Sequence, residues 1–251
     1  MSETRERLII ALDVPTAAAA RQIVAAVGET ASFYKVGKQL FTAEGPSVVR
    51  ELVASGRKVF LDLKYHDIPN TVAEAVRAAS RLGVSLLNVH ASGGSKMLRA
   101  AAEAAAQSET KPKVLAVTVL TSLSDADMQE IGVAGRAMDQ VLRLAQLARA
   151  NGCLGVVASA REAREIRREI GEGFLIVTPG VRPAGADLND QARHVTPAEA
   201  IAAGATHIVV GRPIIAAGNP AKAARSVIEE MESAVVVSRT TKHRVGSRSN
   251  A

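Results

Sequence analysis

The feature that most constrains this chain is an alternation repeated eight times. A short run rich in Val, Ile and Leu is followed each time by an Ala-rich amphipathic segment. The apolar runs fall at 8–13, 32–37, 58–64, 85–90, 113–120, 153–159, 174–179 and 207–211. The amphipathic segments fall near 16–27, 42–54, 70–82, 95–107, 136–150, 160–169, 197–203 and 220–233. Thr16 after Pro15, Asn70 after Pro69, and Thr196 with Pro197 and Glu199 behind it read as helix-start signals. Strands that alternate with helices pair in parallel through right-handed crossovers. Eight such units predict a (β/α)8 TIM barrel, an α/β fold in a single domain. An open doubly wound sheet is the competing arrangement, but it usually has fewer strands, and no Gly-x-Gly-x-x-Gly follows the first run.

A chain of 251 residues, 47% of them hydrophobic, can fill such a core, and no linker or composition break interrupts it before the end. The barrel is expected over 1–233, followed by a basic, disordered tail over 234–251. That tail carries Arg239, Lys242, Arg244 and Arg248 and no acid, contributing +4 of the formal +6. The body is therefore nearly neutral. A frayed end is the reading adopted for the tail, over contact with nucleic acid or lipid. Aromatic residues make up only 2% of the chain, so the stacking platforms of a nucleic-acid binder are not expected. The single cysteine, Cys153, opens an apolar run and reads as a small buried hydrophobe. The charged start (MSETRERLII) lacks the pattern of a signal peptide, and no window approaches the length of a membrane span. A cytoplasmic protein without a membrane partner is expected.

In a barrel of this class, reactive groups gather at the C-terminal ends of the strands. Here those ends carry Asp13, Lys35, Asp62 with Lys64, Asn88 with His90, Thr118 with Thr121, and Gly211-Arg212-Pro213. Each alone has a structural explanation; Asp13 can cap a helix and His90 can be a core histidine. Their coincidence at one rim points to a site.

The run KVFLDLKYHD (58–67) is the most informative. Strand alternation sends Phe60, Asp62 and Lys64 to one side. An isolated buried charge costs several kcal/mol, so an acid and a base facing one cavity must offset each other. A structural ion pair would satisfy that requirement. Lys35 and Asp67 extend the set, and the alternation Lys35–Asp62–Lys64–Asp67 keeps all four groups ionised. Such a site can hold a proton donor beside developing negative charge. A second centre is TPGVRP (178–183) with GRP (211–213). Loops after strands 7 and 8 commonly bind phosphate, and the long connection 181–195 is suited to close over it.

DLKYHDIPNT (62–71), with ALDV at 11–14, FYKVG at 33–37, NVHASGG at 88–94, LTS at 120–122, TPGVRP and VVGRP, resembles the orotidine 5′-phosphate decarboxylase family from about residue 8 to 232. The resemblance implies cofactor-free conversion of orotidine 5′-phosphate to uridine 5′-phosphate and CO2, the last step of de novo pyrimidine synthesis. It implies Lys64 as proton donor to pyrimidine C6, Asp62 against the departing carboxylate, and no metal. It further implies a homodimer in which Asp67, Ile68 and Thr71 come from the other subunit. Asp13 and Lys35 would hold ribose hydroxyls, Thr121 would contact the pyrimidine, and Arg182, Gln191, Gly211 and Arg212 would serve the loop and the phosphate. Val119 stands where many relatives have a polar residue. Related barrels that process sugar phosphates through a Mg²⁺-bound enediolate would need a carboxylate on strand 2, where this chain has Lys35.

Overall fold

The apolar runs become eight parallel strands that pair in chain order and close on themselves. In the computed structural model, which describes residues 3–183 and 195–246, with side chains over 4–183 and 195–234, these are β1 (Leu8–Ala11), β2 (Phe33–Gly37), β3 (Lys58–Tyr65) and β4 (Leu86–His90), then β5 (Lys113–Val117), β6 (Gly155–Val157), β7 (Leu175–Thr178) and β8 (His207–Val210). Closure runs through Leu8↔Ile208, Ile9↔Val209 and Ile10↔Val210, so no strand edge is left open. The expected (β/α)8 barrel is thus the observed fold.

Alternation along the strands divides the apolar residues between two cores. Ile9, Ala11, Phe33, Phe60, Leu86, Leu115, Val177 and Val209 form a small cluster from the inward-facing positions, and this fills the barrel. The intervening residues, such as Ile10, Tyr34, Val36, Leu61 and Leu87, join the larger cluster beneath the helices. The same parity that places Ile9, Phe33, Phe60 and Leu86 inside carries Lys35, Asp62 and Asn88 to the inner face near the strands' C-terminal ends.

The helices are α1 (Ala17–Val27), α2 (Lys38–Glu44), α3 (Ser47–Ala54), α4 (Pro69–Ser80), α5 (Gly94–Ala106), α6 (Asp125–Glu130), α7 (Ala137–Ala150), α8 (Ala160–Ile170), α9 (Pro197–Ala202), α10 (Arg212–Ile215) and α11 (Pro220–Gly246). Thr16 caps α1 by accepting the Ala19 N–H, and Thr196 and Glu199 form a capping box on α9. Several boundaries differ from the sequence expectation. The single helix expected over 42–54 is two, because Gly45 at φ +67° and Pro46 end α2 before α3 begins. Helix α4 starts at Pro69 with Ile68 as cap residue, so Asn70 lies inside its first turn. The last helix was expected to end at 233 and instead continues to Gly246. Nothing between Ala234 and Val245 is a glycine or proline that would break it. Met231 and Ala234 are buried, and the side chains beyond 234 lie outside those described.

The N-terminal end of the barrel is covered by the turn Glu3–Arg7, from which Arg7 donates to the carbonyls of Thr206 and Ala205. Cys153 is buried, and that burial pushes its thiol pKa up to about 12, which suits an inert core residue. Among the described residues no helix is long and apolar enough to cross a membrane.

Candidate active site

At the C-terminal rim four charged side chains, from β2, β3 and the segment just after β1, form a chain of ion pairs. The Lys35 ammonium lies 2.8 Å from Asp13 Oδ1 and 3.4 Å from Asp62 Oδ2. The Lys64 ammonium lies 2.6 Å from Asp62 Oδ1. Each Asp62 oxygen therefore faces its own ammonium. Lys35 and Asp62 are nearly enclosed, Lys64 less so, and Asp13 is more than half exposed. Burial by itself would raise the Asp62 pKa. Lys35 and Lys64, with hydrogen bonds from Lys64 and Asn88, outweigh it and hold the carboxyl below its usual range. Asp62 is thus an anion at neutral pH.

The backbone that presents Lys64 is not a regular strand. Leu61 pairs with Leu87 and Tyr65 with Val89, so Asp62, Leu63 and Lys64 together stand opposite Asn88 alone. This bulge holds Lys64 at φ +54°, in the left-handed region that a non-glycine residue occupies at a cost of about 1–3 kcal/mol. The bulge turns the Lys64 N–H out of the β-ladder, and Asn88 Oδ1 accepts it at 2.8 Å. Asn88 Nδ2 donates to Asp62 Oδ1, also at 2.8 Å, and Asn88 is fully buried. In the sequence Asn88 is distinguished only by its place near the end of a strand. Its role depends on a strand register that one sequence does not display.

Gly37 leaves room for this arrangement. A β-carbon at Gly37 would come within 2.9 Å of Lys35 Nζ and 3.2 Å of Asp13 Oδ1. One at Gly211 would stand 3.8 Å from Asp13 Oδ2, so the start of the Gly211-Arg212-Pro213 segment lies beside the charged chain. Arg212 opens α10, and Arg182 is buried, with its backbone N–H donated to Val195 O. Val181 and Val195 form an isolated parallel bridge that joins the two ends of the loop after β7. Gln191 lies outside the described residues.

The four-charge alternation that forms within one chain is Asp13–Lys35–Asp62–Lys64; Asp13 adds a carboxylate at the Lys35 end, and the place expected for Asp67, beyond Lys64, is not filled from the same chain among the described residues. Asp67 makes no ion pair among the described residues, and its carboxylate accepts the N–H of Ile68 at 2.6 Å. Asp67, Ile68 and Thr71 are all exposed, Ile68 to 66%. Thr121 is exposed between β5 and α6, and Val119 is buried in the outer core. His90, at the end of β4, has its ring centroid 5.5 Å from that of His66. Burial, and then the charges of His66, Lys38 and Lys64, lower its pKa. It is therefore neutral at pH 7.

A basic group held against an ionised carboxylate beside an anion-suited loop fits several phosphate-bearing substrates, so the geometry alone leaves the family open. The sequence model of the orotidine 5′-phosphate decarboxylase / HUMPS family matches residues 6–227. The chain belongs to that family. Among its relatives, orotidine 5′-phosphate decarboxylase of Halorhodospira halophila is 56% identical over 228 residues, spanning 91% of this chain and 97% of that protein. The enzyme of the same name from Moorella thermoacetica is 52% identical over 234 residues, spanning 91% and 93%. The crystal structure of orotidine 5′-phosphate decarboxylase from Lactobacillus acidophilus superposes with a TM-score of 0.80 at 38% identity, covering 90% of this chain and 99% of that one. Family membership extends over the strands that carry Asp13, Lys35, Asp62 and Lys64, and it ends before the extension of α11.

Proposed function

We propose that this protein decarboxylates orotidine 5′-phosphate to uridine 5′-phosphate and CO2 in pyrimidine biosynthesis, without a metal or organic cofactor. The observation that carries this reading is the Asp62 carboxylate held between the Lys64 and Lys35 ammoniums at the rim of a barrel of this family. In the reaction the bond from pyrimidine C6 to the carboxylate breaks, CO2 departs, and the electron pair remains on C6. The Lys64 ammonium donates its proton to that carbon and is recharged from solvent. A fixed ammonium stabilises the developing carbanion without the reorganisation that water would need. Asp62 lies against the departing carboxylate and fixes Lys64.

Asp13 and Lys35 bind ribose hydroxyls in this reading, and Thr121 contacts the pyrimidine. Arg182, Gln191, Gly211 and Arg212 receive the phosphate, whose binding energy contributes to the rate. The exposed Asp67, Ile68 and Thr71 complete the site of a second subunit in a homodimer. Ile68 is 66% exposed, as a residue reaching a second subunit must be. The sugar-phosphate branch of the family is disfavoured because Lys35, an ammonium, stands on β2 where a metal-binding carboxylate would be needed and instead pairs with Asp62.

The test is the fall in ultraviolet absorbance when purified protein meets orotidine 5′-phosphate, before and after exhaustive chelation. Equal turnover in both supports the proposal. No turnover, or turnover restored only by Mg²⁺, contradicts it.

A further inference from the structure

We infer that Asn88 is a positioning residue for the reaction, setting Lys64 and Asp62 in register through its side-chain amide. This rests on the reading of Lys64 as proton donor. In a regular strand Lys64 would share the parity of Lys58, whose N–H bonds to Ser32 O on the β2 side, and its N–H would face away from β4. Three residues of β3 opposite one of β4 break that alternation and leave the Lys64 N–H on the β4 side, where the Asn88 side chain accepts it. The same amide donates to the Asp62 oxygen that Lys64 Nζ contacts, so one planar group ties the backbone of the proton donor to the carboxylate that orients it.

Only an amide of this length meets both demands. The acceptor must face an N–H and the donor must face a carboxylate, which also fixes the amide orientation, since the flipped form would oppose like groups on both sides. Aspartate would place a second anion against Asp62. Leucine or alanine would leave a buried N–H unsatisfied and would free the bulge. The groups facing Asp62 are Lys35 from β2, Lys64 from β3 and Asn88 from β4, with Asp13 reaching it through Lys35 and the His90 ring close enough to sense its charge.

The experiment compares Asn88→Ala and Asn88→Asp with wild type in kcat and KM for orotidine 5′-phosphate, uridine 5′-phosphate affinity, melting temperature and the pH profile of kcat/KM. Asn88→Ala is expected to lower kcat by about 10- to 100-fold, with KM and product affinity within about threefold, because a misplaced reacting group affects the transition state most. Asn88→Asp, nearly isosteric, is expected to move the acid limb of kcat/KM to higher pH, since a neighbouring anion makes Asp62 harder to ionise. A folded Asn88→Ala with unchanged kcat, whatever its melting temperature, overturns the inference. Should that variant not fold, an Asn88→Asp enzyme with wild-type rate and profile overturns it equally. Lys64→Ala, measured alongside, separates the two readings. If it keeps turnover, the proton-donor assignment itself fails; if it is inactive while the Asn88 variants behave as wild type, only the positioning role fails.

Discussion

Gly37 lies so close to Lys35 that a β-carbon on it would meet the Lys35 ammonium at 2.9 Å. Gly37 has φ −95°, which any residue adopts, so Gly37→Ala introduces no backbone strain and acts only through that contact. The alanine should displace the ammonium from Asp13 or Asp62 and lower kcat/KM by about tenfold, with the melting temperature nearly unchanged. Steady-state kinetics on the folded variant check this, and wild-type kcat/KM would show that the placement of Lys35 is not critical.

His207 predicts a pH dependence of stability unrelated to the site. Its ring meets Phe33 edge-on at the N-terminal end of the barrel. Burial first, then the charges of Arg7, Lys113 and Lys58, push its pKa down to about 4. An unfolded histidine titrates near 6.5, so between these values the unfolded chain binds a proton that the folded chain does not. Stability therefore falls as pH drops through 6.5 toward 4, by about 2 kcal/mol at pH 5 from this group. His207→Gln should lose that component. Urea midpoints at pH 7.5 and pH 5 for both proteins test it, and equal losses would reject it.

The fold was legible because eight apolar runs and eight amphipathic segments repeat with barrel spacing, a signal that survives errors at every boundary. Those errors had local causes. The Gly45-Pro46 break was visible in the sequence, and the continuation of α11 to Gly246 follows from the absence of a breaker. The site was legible in its residue types but not in its wiring. Alternation put Asp62 and Lys64 on one side, yet between them the strand is bulged and Lys64 is left-handed, so their contact owes its geometry to Asn88 as much as to the pleat. Asp13 is the second carboxylate of the chain of charges because β1 and β2 pair with Ala11 opposite Lys35, a register hidden from a single sequence.

The exposure of Asp67, Ile68 and Thr71 leads to a test of the shared site. Lys64→Ala and Asp67→Ala should each be inactive alone. Mixed at equal concentration and allowed to exchange subunits, they should recover about a quarter of wild-type activity, since half the dimers are mixed and each mixed dimer holds one intact site. No recovery despite demonstrated exchange would mean that each subunit carries a complete site.

The most direct test of the central claim is turnover by Lys64→Ala. Lys64 is partly exposed at the rim, and its removal leaves Lys35 to neutralise Asp62, so the variant should fold and still bind uridine 5′-phosphate. If the Lys64 ammonium delivers the proton to C6, kcat should fall by at least about 100-fold. A folded, nucleotide-binding Lys64→Ala enzyme with a near-normal rate would contradict the account.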